Sequence, residues 1–320
     1  MIQRYDFAPL DGITKVVFRQ VYHRMFGGAD RYFIPFFSPT DQHILTKRDQ
    51  RELDPAANAG LPVVPQVMTC RAPDFLWAAE IVADMGYTEV NLNLGCPSGT
   101  VTAKGKGSGF LGLPEELERF LDAVFEKPPC AISIKTRLGV KEPEEFGPLL
   151  ALFRRYPLAE LTVHPRVQKD MYKNTPRRDY FAAALADSPF PVRYNGDLYT
   201  LGELEQFQRE FPAAGRVMLG RGLAGDPALG RKAKGGPAAT LDELRAFHDL
   251  VYEDYTRIFG SRRNAMLRMK EVWFYLIHLF GDNAKHARAI KKARDTGEYE
   301  SAVAAVFREL PLLPDLRAGW

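Results

Sequence analysis

Residues 89–97, EVNLNLGCP, read as a short strand running into a loop bounded by Gly and Pro. On the N-terminal side, residues 74–85 have a helical apolar period that Gly86 closes. On the C-terminal side, residues 114–125 repeat that period behind Pro114, and 131–136, AISIKT, form the next strand. Working outward, the same alternation places strands at 5–9, 31–37, 63–67, 161–164, 192–195 and 217–219, with helices at 15–26, 144–156, 180–186 and 201–211. Only residues 38–60 lack a strong period. Eight strand–helix units in roughly 225 residues predict a (β/α)8 TIM barrel. A doubly wound sheet is the alternative, and the missing GxGxxG before the first helix weakens it. After Pro227 the pattern changes to helices at 240–259, 265–280, 283–296 and 299–310. The break at 231–237, RKAKGGP, reads as a linker. The expected organisation is therefore a barrel over residues 1–235 and an all-α domain over 236–320.

The chain has 320 residues, 46% hydrophobic and 26% charged, which fits a globular protein and excludes a disordered or collagen-like one. No apolar run approaches the ~20 residues of a spanning helix, and no signal-peptide pattern opens the sequence, so no membrane association and a cytoplasmic location are expected. Residues 1–227 carry 27 Lys/Arg against 28 Asp/Glu, whereas 231–294 carry 14 against 7. The basic segment reads either as a solvated face or as a polyanion-binding appendage on a neutral body.

In a barrel, the active site forms at the C-terminal strand ends. Here those ends carry Ala8-Pro9-Leu10, Gln66, Asn93 with Cys96, Lys135 with Arg137, His164 with Arg166, Asn195-Gly196-Asp197 and Gly220-Arg221. Lys135 and Arg137 alternate along a strand, so both should point into the barrel mouth, where they imply an anion or an ion pair with a barrel carboxylate. The Gly turns after strands seven and eight offer bare N–H groups for a phosphate. A flavin fits this set, with a cation beside its N1 and O2 edge. Cys96 sits in a loop that also holds small residues, Gly105, Gly107, Ser108 and Gly109, able to pass close to a ligand, and a thiol beside a cationic site can exchange a proton. Cys70 and Cys130 read as small buried hydrophobes. His164 reads either as a backbone-bonded structural residue or as a ligand contact. No HExxH, CxxC pair or carboxylate dyad occurs, so no metal is expected.

These residues, with Asn91-Leu92-Asn93-Leu94-Gly95-Cys96-Pro97, the KGKGSGFL stretch at 104–111 and Lys135-Thr136-Arg137, resemble the tRNA-dihydrouridine synthases in order and spacing up to about residue 222. The resemblance implies FMN as cofactor, NADPH as reductant and tRNA as partner. It implies hydride delivery from reduced FMN to uracil C6, with Cys96 protonating C5. Cofactor contacts would come from Ala8, Pro9, Leu10, Gln66, Lys135, His164, Asn195, Gly196, Asp197, Gly220 and Arg221. Substrate contacts would come from Asn93, Arg137, Arg166, Tyr172 and Lys270. The target base would be drawn out of the folded tRNA, and the basic helices would grip phosphates.

Two departures qualify the match, the first being Leu10, where the family often has Met. The family pattern His-Gly-Arg-Thr is here His164-Pro165-Arg166-Val167, and Pro165 removes a backbone donor, so the loop carrying Arg166, Lys169 and Tyr172 should differ. The competing reading is an FMN barrel acting on a small molecule, of dihydroorotate, dihydropyrimidine or ene-reductase type, which would not need a basic helical tail. A monomer is the default expectation.

Overall fold

The computed structural model describes residues 1–313 and 315; the end of the expected 236–320 domain, residue 314 and residues 316–320, lies outside them. Eight parallel strands close in sequence order into a barrel: β1 (Arg4–Phe7), β2 (Arg31–Phe37), β3 (Val63–Val67), β4 (Glu89–Leu94), β5 (Ala131–Thr136), β6 (Glu160–Val163), β7 (Val192–Tyr194) and β8 (Arg216–Leu219). The N–H groups of Gln3 and Arg4 donate to Gly215 and complete the ring. Four of these strands have the boundaries read from sequence, and the other four shift by one or two residues. In β1, β6 and β7 the ladder stops one or two residues before the expected C-terminal end, ahead of the polar side chains, and β1, β6 and β8 begin one residue earlier.

The chain divides into two compact units, one of Met1–Pro9, Arg31–Asp197 and Phe211–Met218, the other of Leu10–Asp30, Leu198–Glu210 and Leu219–Trp320. In the first, the helices are α2 (Lys47–Leu53), α3 (Ala72–Asp84), the single turn α4 (Gly99–Thr102), α5 (Pro114–Glu126), α6 (Phe146–Phe153) and α7 (Arg178–Asp187); α1 (Val16–Met25) belongs to the second. Helix α2 falls in the segment without a readable period, because KRDQREL has no apolar stripe. Thr46 starts it by accepting the N–H of Asp49.

The lumen of this unit is layered. At the N-terminal end, Asp6, Glu89 and Glu160 meet Arg31, Arg193 and Arg216. Arg193 bonds Asp6 at 2.7 Å and also Glu160, Arg31 reaches Glu89 at 2.7 Å, and Arg216 reaches Glu160 at 2.6 Å. Burial pushes the Asp6 carboxyl up, against the pull of Arg193 and Arg31, and pushes Arg193 down to about 9. Desolvation therefore outweighs attraction, and the network fixes strand register more than it adds stability. An apolar layer of Ala8, Phe33, Val64 and Met218 follows, with the guanidiniums of Arg31 and Arg193 5.3 and 5.1 Å from the Phe33 ring.

The second unit holds α1, α8 (Leu201–Glu210), α9 (Arg221–Gly225), α10 (Leu229–Ala233), α11 (Leu241–Phe259), α12 (Arg262–Leu276), α13 (Ala284–Lys292) and α14 (Thr296–Glu309). Phe247 of α11 meets Phe18 and Phe26 edge-on, each at 5.4 Å, so the helix after β1 shares a core with the helices after β8. A capping box starts α11, with Thr240 accepting the Glu243 N–H and Glu243 accepting that of Thr240, and Gly260 at φ +60° ends it. The helix expected over 283–296 stops at Lys292, because the Asp295 side chain accepts the Glu298 N–H and starts α14 instead. The expected linker 231–237 begins as helix α10, anchored where Lys232 pairs with Asp226 at 2.7 Å and Asp315 at 2.8 Å.

Candidate active site

Above the apolar layer, β3, β4 and β5 lay amides and a cation side by side. Register pairs Gln66 with Asn91, Asn91 with Ser133 and Asn93 with Lys135. Gln66 is fully buried: its amide donates to Asn91 at 2.7 Å and accepts from Asn93 at 2.7 Å, while Asn91 donates on to Ser133 at 2.8 Å. Asn93 also accepts the N–H groups of Gly95 and Cys96, each at 3.0 Å. Asn93 therefore shapes the Cys96 loop. Asn91, which sequence reasoning left without a role, completes this chain, and the alternation Asn91-Leu92-Asn93 was its signal.

The Cys96 carbonyl accepts both the backbone N–H of Ser108 (3.0 Å) and its hydroxyl (2.9 Å). Gly107, at φ +58°, makes this docking possible, because a Cβ there would stand 2.7 Å from the Cys96 carbonyl oxygen. The stretch 104–111 thus backs the thiol, and Cys96 is half-buried. Cys70 and Cys130 are half-buried too, not enclosed as expected; burial and Glu89 push the Cys130 thiol up to about 11.

Lys135 is half-buried, and its ammonium has no hydrogen bond or ion pair among the described residues. Burial first and Arg137 second push it down to about 7, with Cys96, within electrostatic reach, opposing. The alternative, an ion pair with a barrel carboxylate, is not formed among the described residues: Asp6, Glu89 and Glu160 are held by arginines at the other end, and Asp197 is held by Arg166. Arg137 is buried and binds carbonyls, that of Gly95 through Nε at 2.8 Å and that of Val167 at 3.0 Å, and its guanidinium lies 5.3 Å from the Tyr172 ring. It joins the loops after β4 and β6.

The loop after β6 has its own frame. Arg166, 1% exposed, forks onto Asp197 at 2.9 and 2.5 Å and donates to the carbonyls of Lys173 and Asn174. His164 lies 3.3 Å from Arg166, and its backbone N–H donates to Thr136. Pro165 loses its donor, but its carbonyl accepts the Arg177 N–H. Asp170, unforeseen in the sequence, accepts from Val167 (3.0 Å), Asn174 (2.7 Å) and Arg177 (2.5 Å). Burial opposes ionisation there, yet these donors hold its carboxyl below the usual range. The outcome leaves Tyr172 56% exposed, and Lys169 paired with Glu142 at 2.6 Å.

The remaining residues fall in both units. Ala8 belongs to the apolar layer, and Asn195 donates to the Met218 carbonyl at 2.8 Å. Asp197 is neutralised by Arg166, and a Cβ at Gly196 would stand 2.3 Å from the Tyr194 hydroxyl. In the second unit, Leu10 donates its N–H to Thr14 at 2.9 Å, Gly220 precedes α9, and Arg221 lies 5.3 Å from the Tyr199 ring. Pro9 is half-buried. Lys270 donates to the carbonyls of Lys291 and Ala293 at the end of α13. Among the described residues, no group of three or more His, Cys, Asp or Glu could hold a metal, and no helix is long and apolar enough to cross a membrane.

The family model described as Dihydrouridine synthase (Dus) matches residues 6–310. A probable tRNA-dihydrouridine synthase 1 of Synechocystis is 31% identical across 69% of this chain and 62% of its own length, so that match spans under two thirds of the relative. A tRNA-dihydrouridine(16) synthase of Cupriavidus necator is 28% identical across 93% of this chain and 96% of its own. Among solved structures, morphinone reductase has a TM-score of 0.53 at 15% identity, covering 74% of this chain and 87% of that one. An old yellow enzyme homologue from Zymomonas mobilis has 0.53 at 13%, covering 74% and 90%. These two likenesses show the barrel fold alone. The chain belongs to the dihydrouridine synthase family, oxidoreductases that use flavin and a nicotinamide reductant on uridine in tRNA.

Proposed function

We propose that this protein reduces uridine to 5,6-dihydrouridine in tRNA, with FMN as cofactor and NADPH as reductant, acting as a cytoplasmic monomer. The observation that carries this reading is the unpartnered Lys135 ammonium within reach of Cys96, whose loop is clamped from both sides by Asn93 and Ser108. Such a cation lacks a counter-charge that the anionic edge of a flavin would provide. Within the barrel unit, Lys135, His164, Asn195, Gly196 and the floor at Ala8 fit that cofactor. Bound flavin supplies the two-electron reduction of the uracil 5,6 double bond.

Cys96 gives its thiol proton to uracil C5, and the rigid loop keeps Sγ in place for that transfer. Lys135 balances negative charge beside it. Tyr172, exposed and backed by Arg137, offers a ring to the extruded base. Arg166 and Arg137, with their guanidiniums engaged, act as positioning residues for the two loops. The 236–320 segment contributes phosphate contacts.

The test is mass spectrometry of nucleosides from dihydrouridine-free tRNA incubated with the protein and NADPH. A uridine gaining two hydrogens is expected. Cys96→Ala should keep flavin and NADPH oxidation while slowing uridine reduction by about 10²–10⁴-fold. A native rate in that variant would refute the proton-donor role.

A further inference from the structure

A groove of about 1000 Å³ runs along the second unit between α12, α13 and the loop holding Asp11 and Ile13. Its wall is chemically divided. Phe274, a large apolar ring that a folded helix would ordinarily bury, stands 60% exposed beside the half-buried Tyr275. Facing them, α13 contributes Arg288, Lys291 and Lys292. These three side chains are exposed and have no acidic partner among the described residues, whereas Arg262 and Arg268 on α12 are paired with Glu300 and Glu271. Lys270, inside the groove, is already committed to the carbonyls of Lys291 and Ala293, which holds α12 to the end of α13 and keeps the cations in place.

An aromatic face beside unpaired cations matches one ligand chemistry in particular: a nucleobase stacks on a ring while the phosphates on either side meet lysine or arginine. A protein surface would be an equally apolar occupant but would leave three cations unmatched. A duplex would meet the cations but leave Phe274 in water. We propose that this groove receives an unstacked nucleotide of the bound RNA, separate from the uridine that is reduced, with its base on Phe274 and its flanking phosphates on Arg288, Lys291 and Lys292. The inference rests on the tRNA reading above. The groove then works as a second anchor: it captures a loop nucleotide and so fixes which RNA segment the helical unit presents.

The test is fluorescence anisotropy of a labelled, unmodified tRNA transcript titrated with the full chain over a range of salt. Phe274→Ala should weaken binding about 10- to 100-fold with an unchanged salt slope, and Phe274→Tyr should restore it. The double variant Lys291→Ala/Lys292→Ala should lower the slope by about 0.7–0.9 per lysine. Because Phe274 is exposed, its replacement should leave the thermal midpoint in place. Native affinity in Phe274→Ala, with wild-type protein still binding and reducing tRNA, overturns the groove and leaves the function intact. No tRNA binding by the wild type overturns both. If the wild type self-associates and Phe274→Ala yields a monomer of unchanged RNA affinity, a second copy covers the groove and the proposal falls.

Discussion

Replacing Lys135 by Met should make the flavin-free protein more stable and the flavin-binding protein worse. Folding moves the ammonium into a place where burial, and then Arg137, lower its proton affinity from the ordinary 10.5 to about 7. Between those values the unfolded chain binds the proton more tightly than the folded one, so stability rises with pH across that window and the full cost applies below it. At about 1.4 kcal/mol per pH unit, the cost below pH 7 has a ceiling near 5 kcal/mol; relaxation and water make about 2–5 kcal/mol the working range. Lys135→Met removes the charge and keeps most of the side-chain volume. Urea unfolding of flavin-free wild type and variant at about pH 6 and about pH 8.5 should show the variant ahead at both, by about 1–2 kcal/mol more at the lower pH. Flavin titration of the same variant should show weaker binding. An equal advantage at both pH values, or a variant less stable at pH 6, would refute the idea that Lys135 stores an uncompensated charge for an anionic ligand.

Three other perturbations probe the frame. Arg193→Met leaves Asp6 and Glu160 short of a buried partner and should cost about 3–5 kcal/mol in chemical unfolding; a loss below 1 kcal/mol would mean that Arg31 and Arg216 carry the network alone. Gly107→Ala puts a methyl 2.7 Å from the Cys96 carbonyl at a left-handed backbone position, so uridine reduction should fall by about 10²-fold while flavin content stays normal; a native rate would show that the loop can shift freely. Asp170→Asn removes an ionised acceptor whose contribution is present above the ordinary carboxylate value of 3.8 and lost as pH falls through its lowered folded value. Faster amide exchange across residues 165–177 and a raised KM for tRNA should follow, and unchanged exchange would exclude Asp170 as the organiser of that loop.

The barrel was legible because a short strand and a helix of fixed period leave local signatures, and eight repeats in order admit few topologies. The Cys96 loop was legible in part: small residues at 105, 107 and 109 announce a close approach, expected toward a ligand, and the structure packs Gly107 against Cys96 itself. What stayed hidden is a side chain's partner that lies far along the sequence. Asn93, Arg137 and Arg166 were each expected at the substrate, and the structure adds partners that no local pattern announced: Gln66 for Asn93, backbone carbonyls for Arg137 and Asp197 for Arg166. Asp170 was missed because a lone acidic residue in a loop has no period to reveal it. The Pro165 departure looked disruptive, and the loop is instead held by carbonyls and carboxylates that do not need the lost donor.

The sequence by itself determined the element order, the strand ends that carry polar groups and the basic bias of residues 231–294, because these depend on spacing and composition within a few turns of chain. Only the tertiary structure decided which charges are spent and which remain available. Among the described residues Lys135 stays unpartnered because Asp6, Glu89 and Glu160 meet arginines at the opposite end of the barrel and Asp197 meets Arg166, and α1 joins the helical core because Phe247 lies between Phe18 and Phe26. Pairing energy depends on distance and burial, and neither exists until residues hundreds of positions apart have been brought together.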